Sequence, residues 1–307
     1  VRLTNSEATA FRRCRRKWWL SYYRRLAPSR PPTPTSPREI GTVVHDALAA
    51  YYASGADPVA HVRLGHGARA VASSFYGEKE AQKATDLAAL MVEGYLEWLA
   101  ETGADSDMEI LGSELSAEAE LAPGVTVMAK LDAVVDHRPT GQKLAFEFKT
   151  VSDLKQQREL LKLDTQFLTE HLVRFLIQIR DGAEPREAIN DCSGVLWRGL
   201  KRVKRTATAK PPFYAEEVVP HNLDELRNHW RHVLAIAREI ETARARLDAG
   251  ESHHRVVPPS PDKTCSWSCD FFHVCPMFDD GSRVEAALEA GYVEVDPLAR
   301  YEGIEAL

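Results

Sequence analysis

The sequence predicts an α/β fold, a central mixed sheet flanked by helices with further helices added, and three observations predict it. Apart from a proline-rich stretch at 27–38, residues 5–102 repeat apolar positions at three- to four-residue spacing, residues 109–150 carry the two-residue alternation of strands, and helical spacing returns from about residue 152, interrupted by strand-like runs at 193–197 and 213–219. With 44% apolar and 27% charged residues, the 307-residue chain can fill a core and is neither collagen-like nor wholly disordered. Its length, about twice a ~150-residue domain, fits one large domain with insertions or two small ones. No run approaches about 18 consecutive apolar residues, and the first thirty residues lack a secretory apolar segment. The expected setting is the cytoplasm, without a membrane span.

Residues 5–26 read as one helix capped by Asn5 or Ser6, with Phe11, Cys14, Trp18, Tyr22 and Leu26 along its stripe. Pro28, Pro31, Pro32, Pro34 and Pro37 stop it, because proline lacks an amide donor, and leave 27–38 as an extended or mobile loop. Helices are expected near 40–54, 57–76 and 79–102, the last striped by Leu87, Leu90, Met91, Tyr95 and Trp98. Runs 109–121, 125–136 and 143–150, parted by Pro123-Gly124 and Pro139-Thr140-Gly141, read as an antiparallel meander. Helices near 152–162 and 164–181, strands at 193–197 and 213–219 and a helix from about 223 to 247 follow. A three-cysteine segment and an acidic tail, expected to be partly ordered, end the pattern.

The net charge of −6 hides a polarised distribution. Residues 1–30 carry Arg2, Arg12, Arg13, Arg15, Arg16, Lys17, Arg24, Arg25 and Arg30 against Glu7 alone, and Arg198, Lys201, Arg202, Lys204, Arg205 and Lys210 form a second basic run. Such runs suit phosphate backbones, although either also serves as a solvated face. Trp18, Trp19, Tyr22 and Tyr23 among the arginines suit base stacking, but packing of the helix is the simpler use and the one expected for them.

The chemistry centres on Asp132 and on Glu147-Phe148-Lys149. Residues two apart on a strand face the same way, so Glu147 and Lys149 share a face and Asp132 reaches it across the hairpin. Two carboxylates supply the oxygens that Mg²⁺ or Mn²⁺ prefer, and an adjacent ammonium can orient water and stabilise charge growing on a phosphate. Taken alone, Glu-x-Lys is also an ordinary surface ion pair. His45 reads as a hydrogen-bonded helix histidine, and Gln166 and Glu114 as polar residues, unless the site gathers them. Cys265, Cys269 and Cys275-Pro276 cluster in sequence, and Cys14 is the candidate for a fourth thiolate, which would tie the two ends of the chain. Zinc and iron–sulphur both accept four thiolates; the uneven spacing and the Cys-Pro ending favour [4Fe–4S]. Cys192 is expected to carry no ligand role.

In order, SEATAFRRCRRKWWLSYYRRL from Ser6, His45, Ala129-Lys130-Leu131-Asp132, Glu147-Phe148-Lys149, Gln166 and the terminal cysteines resemble the PD-(D/E)XK nuclease superfamily. The resemblance is to its RecB-like branch of CRISPR-associated and AddB-type nucleases, and it spans 6 to about 278. It implies a restriction-endonuclease-like core in one domain over 1–280: a helical region over 1–103, a nuclease core over 104–220, a helix and cysteine segment over 221–280, then the tail 281–307. Asp132, Glu147 and His45 would hold Mg²⁺ or Mn²⁺, Lys149 would position or activate water, and Gln166 would support the site. Cys14, Cys265, Cys269 and Cys275 would hold [4Fe–4S] as a staple between the terminal segments. The chain has Cys-x3-Cys where two intervening residues are usual, Ala129 where Gly is common, and Glu170 where Tyr is usual.

The expected function is a metal-dependent DNA exonuclease acting on single strands or ends in recombination, repair or nucleic-acid processing. Arg12, Arg13, Arg15, Arg16, Lys201, Arg202, Lys204 and Arg205 are the expected DNA contacts, with a helicase or recombinase as a further partner. The competing classes are a non-catalytic DNA-binding or scaffold subunit and a structural-zinc protein. Intact His45, Asp132, Glu147 and Lys149 argue for the enzyme, and an absorbance band near 400 nm would distinguish iron–sulphur from zinc.

Overall fold

The computed structural model describes residues 1–65, 73–192, 194–206 and 208–301. Its strands are β1 (Arg2–Thr4), β2 (Leu26–Pro28), β3 (Met108–Ala122), β4 (Val125–His137), β5 (Gln142–Val151), β6 (Gly194–Lys201), β7 (Tyr214–Pro220) and β8 (Tyr292–Glu294). The main sheet runs β1-β4-β5-β6-β7 with β3 on β4, and β2 pairs separately with β8. β1–β4 and β5–β6 are parallel while β4–β5 and β6–β7 are antiparallel, so the sheet is mixed. The five predicted strands stand, residue 193 lying outside the described residues, while β1, β2 and β8 were not expected and β2 occupies the junction read as helix end and loop; β6 continues beyond residue 197 because Arg198 is buried in the ladder instead of opening a basic loop.

The described residues form two units, one from Pro32–Ala117 and Ala129–Leu226, the other from Val1–Pro31, Glu118–Met128 and 227–301. In the first, the helix Pro37–Ser54 begins where the Ser36 side chain accepts the Glu39 amide and Pro37 takes the first turn, and it ends at Gly55 with φ 70°. Its face Ile40, Val44, Ala47 and Leu48 packs, with Ala88, Met91, Val92 and Tyr95 of the helix Glu78–Thr102, onto Leu144, Phe146 and Phe148 of β5. Each large apolar side chain so buried contributes about 1.5–3 kcal/mol relative to exposure. The helix expected at 57–76 includes Pro58–Leu64, and its stretch 66–72 lies outside the described residues. The helix expected at 152–162 is Leu154–Leu160 followed by a 3-10 turn, Leu161–Leu163. A further helix, Pro185–Asp191, has no counterpart among the expected elements.

The second unit corrects the N-terminal helix. Thr4, one residue before the expected caps, accepts the Glu7 amide at 3.1 Å and starts the helix Asn5–Arg13. Cys14 is extended (φ −158°, ψ 110°), after which the chain turns through Arg15–Trp18 and a π-helical Trp19–Tyr23. A one-residue break leaves the apolar spacing intact, so periodicity does not reveal it. Buried Glu7 accepts from Trp18 Nε1 and Arg244 Nη2, each at 2.9 Å. Trp19 stacks on His253, so both tryptophans pack. The acidic tail contributes the helix Val284–Gly291 and β8, with Arg24 holding Glu285 through both carboxylate oxygens; residues 302–307 lie outside the described ones. Among the described residues no helix is long and apolar enough to cross a membrane.

Candidate active site

The β4–β5 register runs from His137↔Gln142 to Ala133↔Phe146, and Asp132 and Glu147 come next along the strands. There the Asp132 side chain takes a ladder-like role: Oδ2 accepts the Phe148 amide at 3.0 Å. The same oxygen lies 3.2 Å from His45 Nδ1. A Cβ at Gly41 would sit 3.2 Å from Thr150 Oγ1, so glycine lets this helix lie close to β5 one turn before His45.

Phe146 and Phe148 face the apolar core, and Glu147 and Lys149 take the opposite face. That face is covered as well. Glu147 is only 4% exposed, and the helix Thr165–Arg180 brings Gln166 onto it and the Phe167 ring against the Lys149 ammonium, 4.8 Å from centroid to Nζ. Asp164 caps this helix by accepting the Gln166 amide through Oδ1 at 2.9 Å, and its Oδ2 accepts Lys149 Nζ at 2.9 Å. Gln166 Oε1 accepts a second bond from Lys149 at 3.0 Å, while Gln166 Nε2 donates to Glu147 Oε1 at 2.7 Å and to Glu170 Oε1 at 2.8 Å. Glu147 Oε2 and Glu170 Oε2 are buried without a hydrogen-bond partner.

The charges follow from this packing. Burial opposes ionisation of Asp132, but His45 outweighs it and holds the carboxyl below its ordinary value; reciprocally, Asp132 raises His45 against burial. Burial, reinforced by the negative charges of Asp132 and Glu170, drives Glu147 well above the usual carboxylate range. Burial pushes Glu170 up to about 8 despite its bond from Gln166. Lys149 is raised because Glu147 and Asp164 outweigh burial, so it is an ammonium at neutral pH.

The structure thus gathers His45, Asp132, Glu147, Lys149 and Gln166, all anticipated from sequence. Asp164 and Glu170 were missed. Their signals were a capping-type residue just before Gln166 and an acid one helical turn after it. Glu114, on β3, adopts φ 52° and pairs with Lys130. Among the described residues no group of three or more His, Cys, Asp or Glu side chains is set to hold a metal ion as they stand. Asp132 turns to His45 and Phe148, and Glu147 turns to Gln166.

The expected DNA-contacting cations differ in availability. Arg12, Arg13 and Lys204 are exposed. Lys201 reaches the Lys210 carbonyl at 3.4 Å, and burial lowers Arg202. Arg15 pairs with Glu239 at 2.7 Å and Arg205 with Glu97 at 2.6 Å. Arg16 is 1% exposed and clamped on Asp279, which makes it a packing residue rather than a free cation.

In the second unit Cys14, Cys265, Cys269 and Cys275 are half-buried free thiols. Cys14 Sγ accepts the Ser260 amide at 3.5 Å and Cys265 Sγ the Asp262 amide at 3.4 Å. Burial raises Cys269 and Cys275, and the charge of Cys14 adds to both shifts. Cys192 is fully buried, its Sγ–H donating to the Ala188 carbonyl at 3.0 Å.

Among solved structures, the crystal structure of SSO0001 matches at 14% identity with a TM-score of 0.30, covering 76% of this chain and 83% of that one. No curated protein matches the chain. The profile of the PD-(D/E)XK nuclease superfamily matches residues 2–276, a span holding the mixed sheet and every group at the opening of β4 and β5. The chain belongs to the PD-(D/E)XK nuclease superfamily.

Proposed function

We propose that the protein is a Mg²⁺- or Mn²⁺-dependent DNA exonuclease of the RecB-like branch, acting on single strands or DNA ends. The observation that carries this reading is the convergence of Asp132, Glu147, Lys149 and His45 where the β4–β5 ladder opens. The donor set fits a hard divalent cation: carboxylate oxygens, the buried and unpartnered Oε2 of Glu147 among them, in a cluster where the carboxyl groups of Asp132, Glu147, Asp164 and Glu170 outnumber Lys149 and His45. Asp132 and Glu147 would hold the ion with His45, and the ion would supply Lewis acidity toward the scissile phosphate.

The chain's own groups do the rest. Lys149, an ammonium fixed by Asp164 and Gln166, donates to water and to charge growing on the phosphate; its raised pKa suits a donor, not a base. Gln166 bridges that ammonium and Glu147. Exposed Arg12, Arg13 and Lys204, with Lys201 and Arg202, are proposed to meet phosphates. A helicase or recombinase delivering DNA is part of the same reading.

Cys14, Cys265, Cys269 and Cys275 are proposed to hold [4Fe–4S]. Backbone amides already aimed at two of the sulphurs suit thiolates, and closure would span 251 residues of chain from Cys14 to Cys265. Cys269→Ala should then remove absorbance near 400 nm and lower the melting temperature; unchanged melting rejects the staple.

The test of the main reading is to incubate anaerobically purified protein with end-labelled single- and double-stranded DNA, with and without Mg²⁺ or Mn²⁺, beside Lys149→Ala. Metal-dependent shortening lost in the variant is the expected result. Intact DNA with a loaded cluster would instead support a non-catalytic binding subunit.

A further inference from the structure

Glu170 is 2% exposed, and its Oε1 accepts a hydrogen bond from Gln166 Nε2. The Gln166 amide has two possible orientations of similar shape, and only one serves the site, with the carbonyl oxygen toward Lys149 and the NH₂ toward acids. The reverse would press N–H groups against an ammonium. Glu147 Oε1 accepts one of the two N–H groups, but in the proposed function a cation at its unpartnered Oε2 would draw on the same carboxylate and weaken that bond. Glu170 then remains as the acceptor at 2.8 Å, on the same helix and four residues from Gln166, so the two are held together by local geometry.

We propose that Glu170 is a positioning residue, fixing the Gln166 amide so that its oxygen keeps holding Lys149 whether or not Glu147 is engaged elsewhere. The residue acts through Gln166 and touches no reacting atom. Its second oxygen is left without a partner, so the site retains a buried acid that packing alone would not favour. The kinetic consequence rests on the nuclease reading; the orientation of the amide does not.

The experiment compares wild type with Glu170→Ala and Glu170→Gln, the latter keeping an acceptor oxygen, in two readouts. Hydrogen exchange of the Gln166 side-chain amide is followed by nitrogen-15 NMR, assigned by its loss in Gln166→Ala. Steady-state cleavage of single-stranded DNA gives kcat and KM. Glu170→Ala should lose amide protection and drop kcat about tenfold at unchanged KM, the size expected for groups that orient a functional residue. Glu170→Gln should recover most of both. Unchanged amide protection in Glu170→Ala overturns the proposal, as does a Glu170→Gln variant as impaired as Glu170→Ala. If wild type does not cleave DNA, the nuclease reading fails and amide protection alone decides the role of Glu170.

Discussion

Phe148 on β5 lies opposite Arg198 on β6, and the two faces of this strand pair treat buried charge in opposite ways. On one face Arg198, fully buried, donates from Nε to Glu216 at 2.6 Å, from Nη1 to Asp105 and the Tyr52 and Tyr95 hydroxyls, and from Nη2 to the Ala104 carbonyl at 3.0 Å. Its two acidic neighbours more than offset its charge, and no side-chain nitrogen of Arg198 is buried without a partner. On the other face Glu147 and Glu170 each keep a partnerless oxygen beside Asp132 and Asp164, with Lys149 as the near cation. A satisfied network specifies structure, whereas an acid-rich one with spare oxygens costs stability and suits a site that takes a cation.

The comparison can be broken most forcefully at Arg198. Arg198→Met should cost about 3 kcal/mol of unfolding free energy, the low end for breaking a buried ion pair because Asp105 and Glu216 keep some solvent contact. Chemical denaturation measures it, and a loss below about 1 kcal/mol would mean that the network is not structural.

On the opposite face, Lys149→Ala should reduce cleavage about 10²–10³-fold while the denaturation midpoint moves little. An equal loss of fold would make Lys149 a structural residue. Glu147→Gln sharpens the contrast through its sign: without divalent cation it should stabilise the protein by about 1 kcal/mol at pH 8 while abolishing cleavage. Glu147 and Glu170 are raised in the fold, so the folded state binds more protons than the unfolded one above the ordinary carboxylate value. Their contribution is complete below about pH 4.5 and is lost as pH rises, for Glu170 through about 8. Wild type should therefore lose stability from pH 5 to 8 more steeply than Glu147→Gln, and parallel curves would contradict the assignment.

The smallest effect concerns His171 and His221, a buried pair with Nδ1 atoms 3.4 Å apart. Burial, with the charges of His221 and Arg174, lowers His171 well below its usual value; burial and Lys162 lower His221 to about 4. Depressed histidines let the unfolded state bind protons first, so stability should fall as pH drops from about 6.5 toward 4. Replacing His221 by Asn should flatten that limb by about 1 kcal/mol between pH 7 and 5, read from denaturation midpoints. An unchanged slope would remove the pair from the pH dependence.

Legibility in the sequence followed the range of each interaction. The alternation of Leu144, Phe146 and Phe148 against Glu147 and Lys149 was readable because strand side chains change face at every residue. The covering of that second face was not, since it depends on the helix Thr165–Arg180, which follows β5 in the chain and returns over it. Arg198 looked like the start of a basic run; Tyr52, Tyr95 and Asp105, which draw it inward, lie about a hundred residues or more away in sequence. The break at Cys14 was hidden because one extended residue does not disturb a three-to-four spacing.

By itself the sequence determined the α/β class, the positions of the five longer strands β3 to β7 and the residue types at the opening of β4 and β5, because period and composition are local properties. The tertiary structure decided that Lys149 is a charged donor, that Glu147 is buried with an unpartnered oxygen, and that Asp164 and Glu170 join the site. Those properties depend on which charges and how much solvent surround a group, and the neighbours that set them come from separate segments of the chain.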